Sequence, residues 1–196
     1  FADYWANEMR ENPFAATASG VMDYNAEVPG VAPEDYERRL KTAEAMQARL
    51  RAIDLSGVAE SQRLSAELLG FILKHDIALA AFRDWRIPFL ADTGFHNIFG
   101  YIVGATPFRT PKDYEDYLAR LEKMPAFLDQ NIANMRIGLA DGFAQPKEIL
   151  PFILPSFEAQ AAGSVQDHPL YAPFKSFPDG IDARRRTALT RRADAV

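Results

Sequence analysis

The sequence predicts an all-α protein, a bundle-like array of several helices. Apolar residues recur at intervals of three and four along most of the chain, as they do on one face of a helix. No window of four to eight residues shows the alternation of a strand. Proline, glycine and capping residues separate the periodic stretches. The 196 residues suit one helical domain, or one and a fraction.

The first long helix is predicted to begin at Pro33, because proline suits the first helical turn and acidic residues follow it directly. It extends for about five turns, and the polar stretch from Asp54 to Gly57 ends it. Its predicted apolar face comprises Tyr36, Leu40, Ala43, Met46, Leu50 and Ile53. A second long helix ends before Pro88, and its predicted apolar face comprises Leu64, Leu68, Phe71, His75, Ala78 or Leu79, and Phe82.

A packed loop is predicted over residues 89–110, because its glycine and aromatic residues follow neither periodicity. The third helix begins next. Thr110 is its expected N-cap, Pro111 suits its first position, and Asp113 complements the exposed N–H groups. Its predicted buried face comprises Tyr114, Tyr117, Leu118 and Leu121.

Pro125 predicts a break or kink, since proline restricts the preceding residue to extended backbone. A further helix is then expected to end at Gly142, a natural left-handed C-cap. The apolar residues predicted for this helix are Leu128, Ile132, Met135 and Leu139. A short or bent helix follows Pro146, and a proline-rich connector leads to the last helix.

The two ends of the chain indicate a piece of a longer polypeptide. The sequence starts at Phe1 rather than Met, and no signal core is visible behind it. The last helix, over about residues 180–196, opens and then stops at Val196. We therefore expect residues 1–196 to be a single helical domain or fragment whose last helix leads into a C-terminal part.

Composition excludes several classes of function. The net charge of −5 and the pI near 5.3 offer no basic surface, so we expect no nucleic-acid binding. No apolar run is long enough to span a membrane. The lack of cysteine rules out thiolate catalysis and cysteine-bound zinc. The sequence also contains neither a serine-hydrolase elbow nor a dinucleotide-binding glycine pattern.

The three histidines do not form a metal site. None begins a His-Glu motif, and no two lie one helical turn apart. His75 is expected to be a hydrogen-bonded core or interface residue, with a functional role as the alternative, and His168 is expected in a turn. We assign no catalytic residue, no metal ligand and no cofactor to this chain.

The candidate cleft-lining residues are His96, Asn97, Tyr101 and Arg109. They belong to the aromatic-rich segment between two long helices, where ligand contacts are often carried. Two interpretations stay open: the aromatic residues fill the space between the helices, or they form a cleft wall. Arg109 either orients a carboxylate or is a solvated residue at a helix entry.

Several motifs occur in a fixed order along nearly the whole chain. They comprise Pro13, Ala16, Thr17, Gly20 and Tyr24; Pro107, Phe108, Thr110, Asp113, Tyr114, Tyr117, Leu118, Arg120 and Leu121; Leu128, Asp129, Gln130, Gly138, Gly142 and Pro146; and Pro169, Leu170, Tyr171, Pro173 and Phe174. With these motifs the chain resembles the N-terminal part of the bacterial family known as domain of unknown function 885. Members of that family are described as lipoproteins and look like zinc metallopeptidases.

The resemblance implies that zinc, where the full-length polypeptide uses it, binds a His-Glu-x-x-Pro-Gly-His helix further towards the C-terminus. This chain would then be the non-catalytic helical scaffold and cleft wall of a metallopeptidase-like hydrolase, inactive alone. Its partners would be the C-terminal part and a peptide substrate. The alternative is a helical binding or interaction module of a cell-envelope lipoprotein without enzymatic activity. Both interpretations imply a periplasmic or cell-envelope location.

Apolar faces that would meet the C-terminal part are expected to be partly exposed. They carry Ile149, Ile153, Phe157 and Leu189. Exposed apolar surface of this kind supports association of copies, so self-association is expected of the chain alone.

Overall fold

The computed structural model describes residues 1–90 and 93–196, and these residues confirm the predicted all-α fold. They contain no β-strand, only an isolated bridge between Phe89 and Gly94. None of the helices that they form is long and apolar enough to cross a membrane. The α-helices are α1 (Ala2–Glu11), α2 (Pro13–Ala18), α3 (Pro33–Arg51), α4 (Glu60–Ala80), α5 (Phe99–Ala105), α6 (Pro111–Ala140), α7 (Leu150–Ala161) and α8 (Ala183–Ala193). Short 3-10 helices span Met22–Tyr24, Asp84–Arg86, Lys147–Ile149, Val165–Asp167 and Pro169–Phe174.

The long helix α6 begins where the sequence predicts. The Asp113 N–H donates to Thr110 Oγ1 at 3.4 Å, and the Asp113 carboxylate accepts the Thr110 N–H at 2.7 Å, which closes a reciprocal cap. Pro111 occupies the first turn, where no backbone donor is needed. The predicted buried face is confirmed for Tyr114, Tyr117 and Leu118, and Leu121 is half-buried.

Of the predicted break or kink at Pro125, the break is wrong, because α6 continues through Pro125 to Ala140. The kink stays a prediction. Proline inside a helix removes one hydrogen bond and costs about 3 kcal/mol. Met124 and Phe127 are buried on either side of Pro125, and their burial offsets this cost. The buried face beyond Pro125 also differs from the prediction. It comprises Phe127, Asn131, Asn134 and Gly138, whereas Leu128, Ile132 and Met135 are half-buried and Leu139 is exposed.

The apolar face predicted for the second helix is wrong. α4 packs against α3, and its buried residues are Ala66, Leu69 and Leu73. A Cβ on Gly70 would lie 3.6 Å from the Leu50 side chain, an ordinary van der Waals contact, so the Gly70 side of α4 is next to α3. The predicted face is exposed at Leu64, Leu68, Phe71, Leu79 and Phe82. His75 is exposed rather than in the core, and its ring stacks on Phe71.

The stretch 89–110 is more than a packed loop, since it contains α5. Phe99 and Ile102 of α5 are buried and anchor this helix in the core. The aromatic and aliphatic residues that obscured the helical periodicity in the sequence therefore belong to the core. Residues 91 and 92 of the predicted loop lie outside the described residues. The short helix predicted after Pro146 is confirmed as α7.

The faces expected to support self-association are mainly internal. Ile153 and Leu189 are buried, so the prediction of their exposure is wrong, and Ile149 and Phe157 are half-buried. Leu189 belongs to α8, which packs against α6. An ion pair between Arg192 and Glu122, with an N–O distance of 2.7 Å, joins the same two helices.

Arg120 joins α6 to the N-terminal segment. It is 1% exposed, and its Nη2 donates to Thr17 Oγ1 at 2.9 Å and to the carbonyl oxygens of Tyr24 at 2.8 Å and Pro13 at 3.3 Å. The guanidinium carbon lies 5.4 Å from the centre of the Phe14 ring. Burial lowers the pKa of Arg120 to about 10, so the cation is present at neutral pH. Neutral acceptors therefore hold a charge inside the core.

We expect Arg120→Ala to lower the free energy of unfolding by about 3 kcal/mol, because it removes the hydrogen bonds between α6 and the N-terminal segment and opens a cavity. Urea unfolding followed by circular dichroism measures this loss. Arg136→Ala is the matched control, since Arg136 lies on the same helix and is exposed. It should change stability by less than about 0.5 kcal/mol. Equal unfolding midpoints would contradict the structural role of Arg120.

Gly138 is a point of close approach between α6 and the 3-10 helix Asp84–Arg86. A Cβ at position 138 would lie 2.6 Å from the Phe143 carbonyl oxygen and 2.7 Å from the Arg86 carbonyl oxygen. Both are backbone atoms, which cannot rotate away as a side chain can. Trp85 in the 3-10 helix is buried, so the glycine allows α6 to cover this residue.

Gly138→Ala should destabilise the fold by about 1–3 kcal/mol through overpacking, although alanine is favoured over glycine inside a helix by about 1 kcal/mol. The matched control is Gly104→Ala in α5, where a Cβ meets no atom within 4 Å. The control should be neutral or stabilising. Thermal unfolding of both variants tests whether their stability changes have opposite signs. A Gly138→Ala protein as stable as the wild type would show that the 3-10 helix can move away.

Candidate functional site

A cleft lies between α1, α3, α4 and the residues 83–85, 94, 95 and 98. Its volume is about 780 Å³, within the range of sites that bind small ligands. Leu73 of α4 and Phe127 of α6 belong to its apolar lining. The polar and aromatic side chains that enter it come from separate helices, so the packing of those helices sets the geometry of the site.

Two stacked aromatic rings form part of the cleft lining. Tyr36 of α3 stacks on Trp85, with ring centres 5.8 Å apart and planes inclined by 22°. The guanidinium groups of Arg39 and Arg83 lie over Tyr36 and Trp85 respectively, each 5.1 Å from the ring centre. Because the 3-10 helix that carries Trp85 packs against α6 at Gly138, α6 supports this ring pair from behind.

Glu11, at the end of α1, is paired with arginines of α3. Its carboxylate lies 2.5 Å from Arg38 and 3.3 Å from Arg39. Burial acts to raise the pKa of Glu11, but the hydrogen bonds and charges of the two arginines outweigh burial and lower it. Asp3 and Arg49 form a second ion pair between the same helices, at 2.5 Å. These contacts hold α1 against α3.

Glu8 lies three residues before Glu11 and has a different environment. Burial, and then the charge of Asp76 on α4, raise the pKa of Glu8, and a hydrogen bond from Asn7 and the charge of Arg39 oppose them only partly. Burial, Glu8 and Asp76 likewise raise the pKa of Tyr4. Neither Glu8 nor Asp76 forms an ion pair with a described residue. The cleft thus holds two carboxylates from different helices whose charges repel each other.

His96, the first of the predicted cleft residues, is packed inside the protein. It is 4% exposed, and its ring stacks on Phe157 with centres 4.3 Å apart. Its Nδ1 has no hydrogen-bond partner among the described residues, and burial lowers the pKa of the imidazole. His96 therefore contacts α7, and the neighbouring Phe95 lines the cleft between α1, α3 and α4.

The other three predicted residues lie apart from this cleft. Asn97 accepts the Gly94 N–H at 3.1 Å. Tyr101 is 72% exposed on α5, and Arg109 is exposed beside the cap of α6. The structure does not bring the four residues together at the cleft described above. Their assignment to a cleft wall stays a prediction.

Sequence reasoning missed Tyr4, Glu8 and Asp76. One signal was available, since Tyr4 and Glu8 are four residues apart and share one face of α1. Asp76 offers no such signal, because its neighbours in the cleft are distant in sequence.

Across residues 1–90 and 93–196, no group of three or more His, Asp or Glu side chains could hold a metal ion. The described residues therefore do not offer the set of ligands that a zinc ion requires.

The sequence profile of one protein family matches nearly the whole chain. That family is described as a bacterial protein of unknown function, DUF885, and the match covers residues 13–196. The chain belongs to the DUF885 family. The resemblance inferred from the ordered motifs is therefore confirmed. A search of the curated proteins found no match. Asp76, Tyr36 and Trp85 lie within the DUF885 match, whereas Tyr4 and Glu8 precede it.

Replacing Glu8 by glutamine should stabilise the protein at pH 7, because the uncharged amide removes the repulsion by Asp76 and the penalty of burying a charge. The increase in the free energy of unfolding should stay below about 1 kcal/mol at this half-buried position. The folded state raises the pKa of Glu8 above its ordinary 4.5. Folding therefore favours the protonated carboxyl, and the wild type loses stability as the pH rises through the folded-state pKa.

The stability difference between Glu8→Gln and the wild type should accordingly be largest at neutral pH and vanish below the ordinary pKa. Urea unfolding at a series of pH values measures this difference. Glu44→Gln is the control, because Glu44 is exposed on α3 outside the cleft. A Glu8→Gln protein less stable than the wild type at pH 7 would show that the Glu8 carboxylate supports the fold.

Proposed function

We propose that this chain is the non-catalytic helical scaffold and one wall of the substrate cleft in a zinc metallopeptidase-like hydrolase of the DUF885 family. The observation that carries the proposal is the cleft of about 780 Å³ between α1, α3 and α4. Its lining combines aromatic rings, aliphatic side chains and a few polar groups, the mixture typical of ligand sites. A peptide, with its alternating apolar and polar groups, matches that mixture.

The residues of the cleft support binding rather than bond cleavage. Metal-assisted hydrolysis needs a set of metal ligands and a base beside the bound water, and the described residues contain no such set. Glu11 is paired with its two arginines. Under the proposal, zinc belongs to a His-Glu helix in the C-terminal part of a full-length polypeptide, in the periplasm or cell envelope.

A second candidate function is a helical interaction module of a cell-envelope lipoprotein without enzymatic activity. The exposed apolar row on α4 favours it, namely Leu64, Leu68 and Phe71, which lie outside the cleft lining. Single exposed apolar residues are common, but a contiguous row on one helix is typical of a contact surface. The two candidates differ in whether the cleft binds a peptide.

Trp85 provides a direct probe of the cleft. The chain has two tryptophans, and Trp5 is exposed and outside the cleft lining. In a Trp5→Phe background, a mixture of short peptides should change the fluorescence of Trp85 saturably. Ala43→Phe, which places a ring in the cleft from α3, should abolish the change. Ala48→Phe, at an exposed position of α3, should leave it intact.

A fluorescence change that survives Ala43→Phe, or no change with any peptide mixture, would refute the cleft-wall proposal and favour the interaction module. Two further measurements concern the non-catalytic role. The chain alone should bind no stoichiometric zinc in a calorimetric titration and should cleave no peptide. Stoichiometric zinc binding would show that the chain carries a metal site of its own.

A further inference from the structure

The cleft carries an excess of negative charge. Its lining includes the carboxylates of Glu8, Glu11, Glu37, Asp76 and Asp84 and the guanidinium groups of Arg39 and Arg83. Both guanidinium groups already have partners, since Arg39 pairs with Glu11 at 3.3 Å and Arg83 lies 4.0 Å from Asp141. A cation that enters the cleft therefore meets an attractive potential, and an anion meets a repulsive one.

Four of the lining carboxylates form no ion pair with a described residue, namely those of Glu8, Glu37, Asp76 and Asp84. Among them, Glu8 and the exposed Asp76 repel each other. The two carboxylates come from α1 and α4, and no described residue forms an ion pair with either. Glu8 is half-buried, so solvent and salt screen its charge less than they screen a surface charge. A cation held between the two carboxylates would remove their repulsion and gain two charge-assisted hydrogen bonds.

The remaining lining suits a long aliphatic stem. Leu40, Met46, Leu73 and Leu79 line the cleft, and Tyr4 lies one helical turn before Glu8. Lysine and arginine side chains bury their stems along apolar surface while the charged head keeps polar contacts. A tyrosine ring beside that head adds a cation–π attraction. Neutral side chains obtain only the stem contacts, and acidic side chains are repelled.

We propose that the cleft binds a basic side chain of a peptide, with its ammonium or guanidinium group between Glu8 and Asp76 and its stem along the aliphatic lining. This inference rests on the proposed function of the cleft as a peptide-binding wall, and it names the class of peptide that the wall selects. Free alkylamines share the same cation chemistry, so the experiment separates a peptide side chain from a free amine.

The experiment uses the whole chain in the Trp5→Phe background and three end-blocked peptides of alanine with one central residue. That residue is lysine, norleucine, which keeps the stem without the charge, or glutamate. The lysine peptide should bind at least about tenfold more tightly than the norleucine peptide, as a charge-assisted hydrogen bond predicts. The glutamate peptide should bind most weakly. Butylamine, which has the stem and head alone, should bind more weakly than the lysine peptide.

The double variant Glu8→Gln/Asp76→Asn should bind the lysine peptide no more tightly than the norleucine peptide. The matched control is Glu44→Gln/Glu67→Gln, which changes the net charge equally at exposed positions of α3 and α4 outside the cleft. The control should keep the preference for lysine. The single variant Glu8→Gln, expected to be more stable than the wild type, should also lose most of the preference, which separates recognition from folding.

Equal binding of the lysine and norleucine peptides would overturn this inference and leave the cleft as a peptide site without charge selection. If peptide mixtures also bind nowhere in the cleft, the proposed function fails as well. A preference that persists in the double variant, or that the control loses too, would overturn the role of Glu8 and Asp76. Butylamine binding as tight as that of the lysine peptide would overturn the choice of a peptide side chain.

Discussion

The buried guanidinium of Arg120 is the contact on which the N-terminal side of the structure depends. It binds oxygen atoms of residues that lie between 96 and 107 positions earlier in the chain. Burial of a cation without a carboxylate partner is costly, and the lowered pKa of Arg120 reflects that cost. The hydrogen bonds hold α2 beside α6, and α2 contacts α1, which carries Tyr4 and Glu8. A single cation thus positions one side of the cleft from a distance.

Gly138 has the corresponding role for the opposite side of the cleft. It follows Arg120 by 18 residues on α6, which is five turns of 3.6 residues, so the two positions share one face of α6 about 27 Å apart. Gly138 admits the 3-10 helix that carries Trp85. Between the two anchors, Asn134 donates to the Val31 carbonyl at 2.7 Å, just before α3 begins. A break at Pro125 would uncouple these anchors, so the spacing of the cleft walls requires α6 to be continuous.

Features that depend on neighbouring residues could be predicted from the sequence, and features that depend on distant residues could not. The reciprocal cap of Thr110 and Asp113 is local, and it was predicted correctly. The continuity of α6 through Pro125 depends on burial against other segments, which no local rule contains. α4 is apolar on two sides, so periodicity alone cannot tell which side meets α3. The approach of Glu8 to Asp76 joins two helices and leaves no pattern in either one.

α1 shows how the fold treats two carboxylates differently. Arg38 and Arg39 neutralise Glu11, whereas Glu8, three residues earlier, faces Asp76 without an ion pair. A sequence selected for stability alone would neutralise Glu8, because repulsion inside a half-buried cleft raises the free energy of the folded state. A carboxylate in a cleft without an ion pair is typical of sites where a ligand supplies the counter-charge. The exposed row on α4 is different, since its apolar side chains need only another apolar surface. Leu64, Leu68 and Phe71 lie outside the cleft lining, so charge recognition and apolar contact belong to two parts of the same helix. A substitution at Asp76 changes the first and leaves these three side chains as they are.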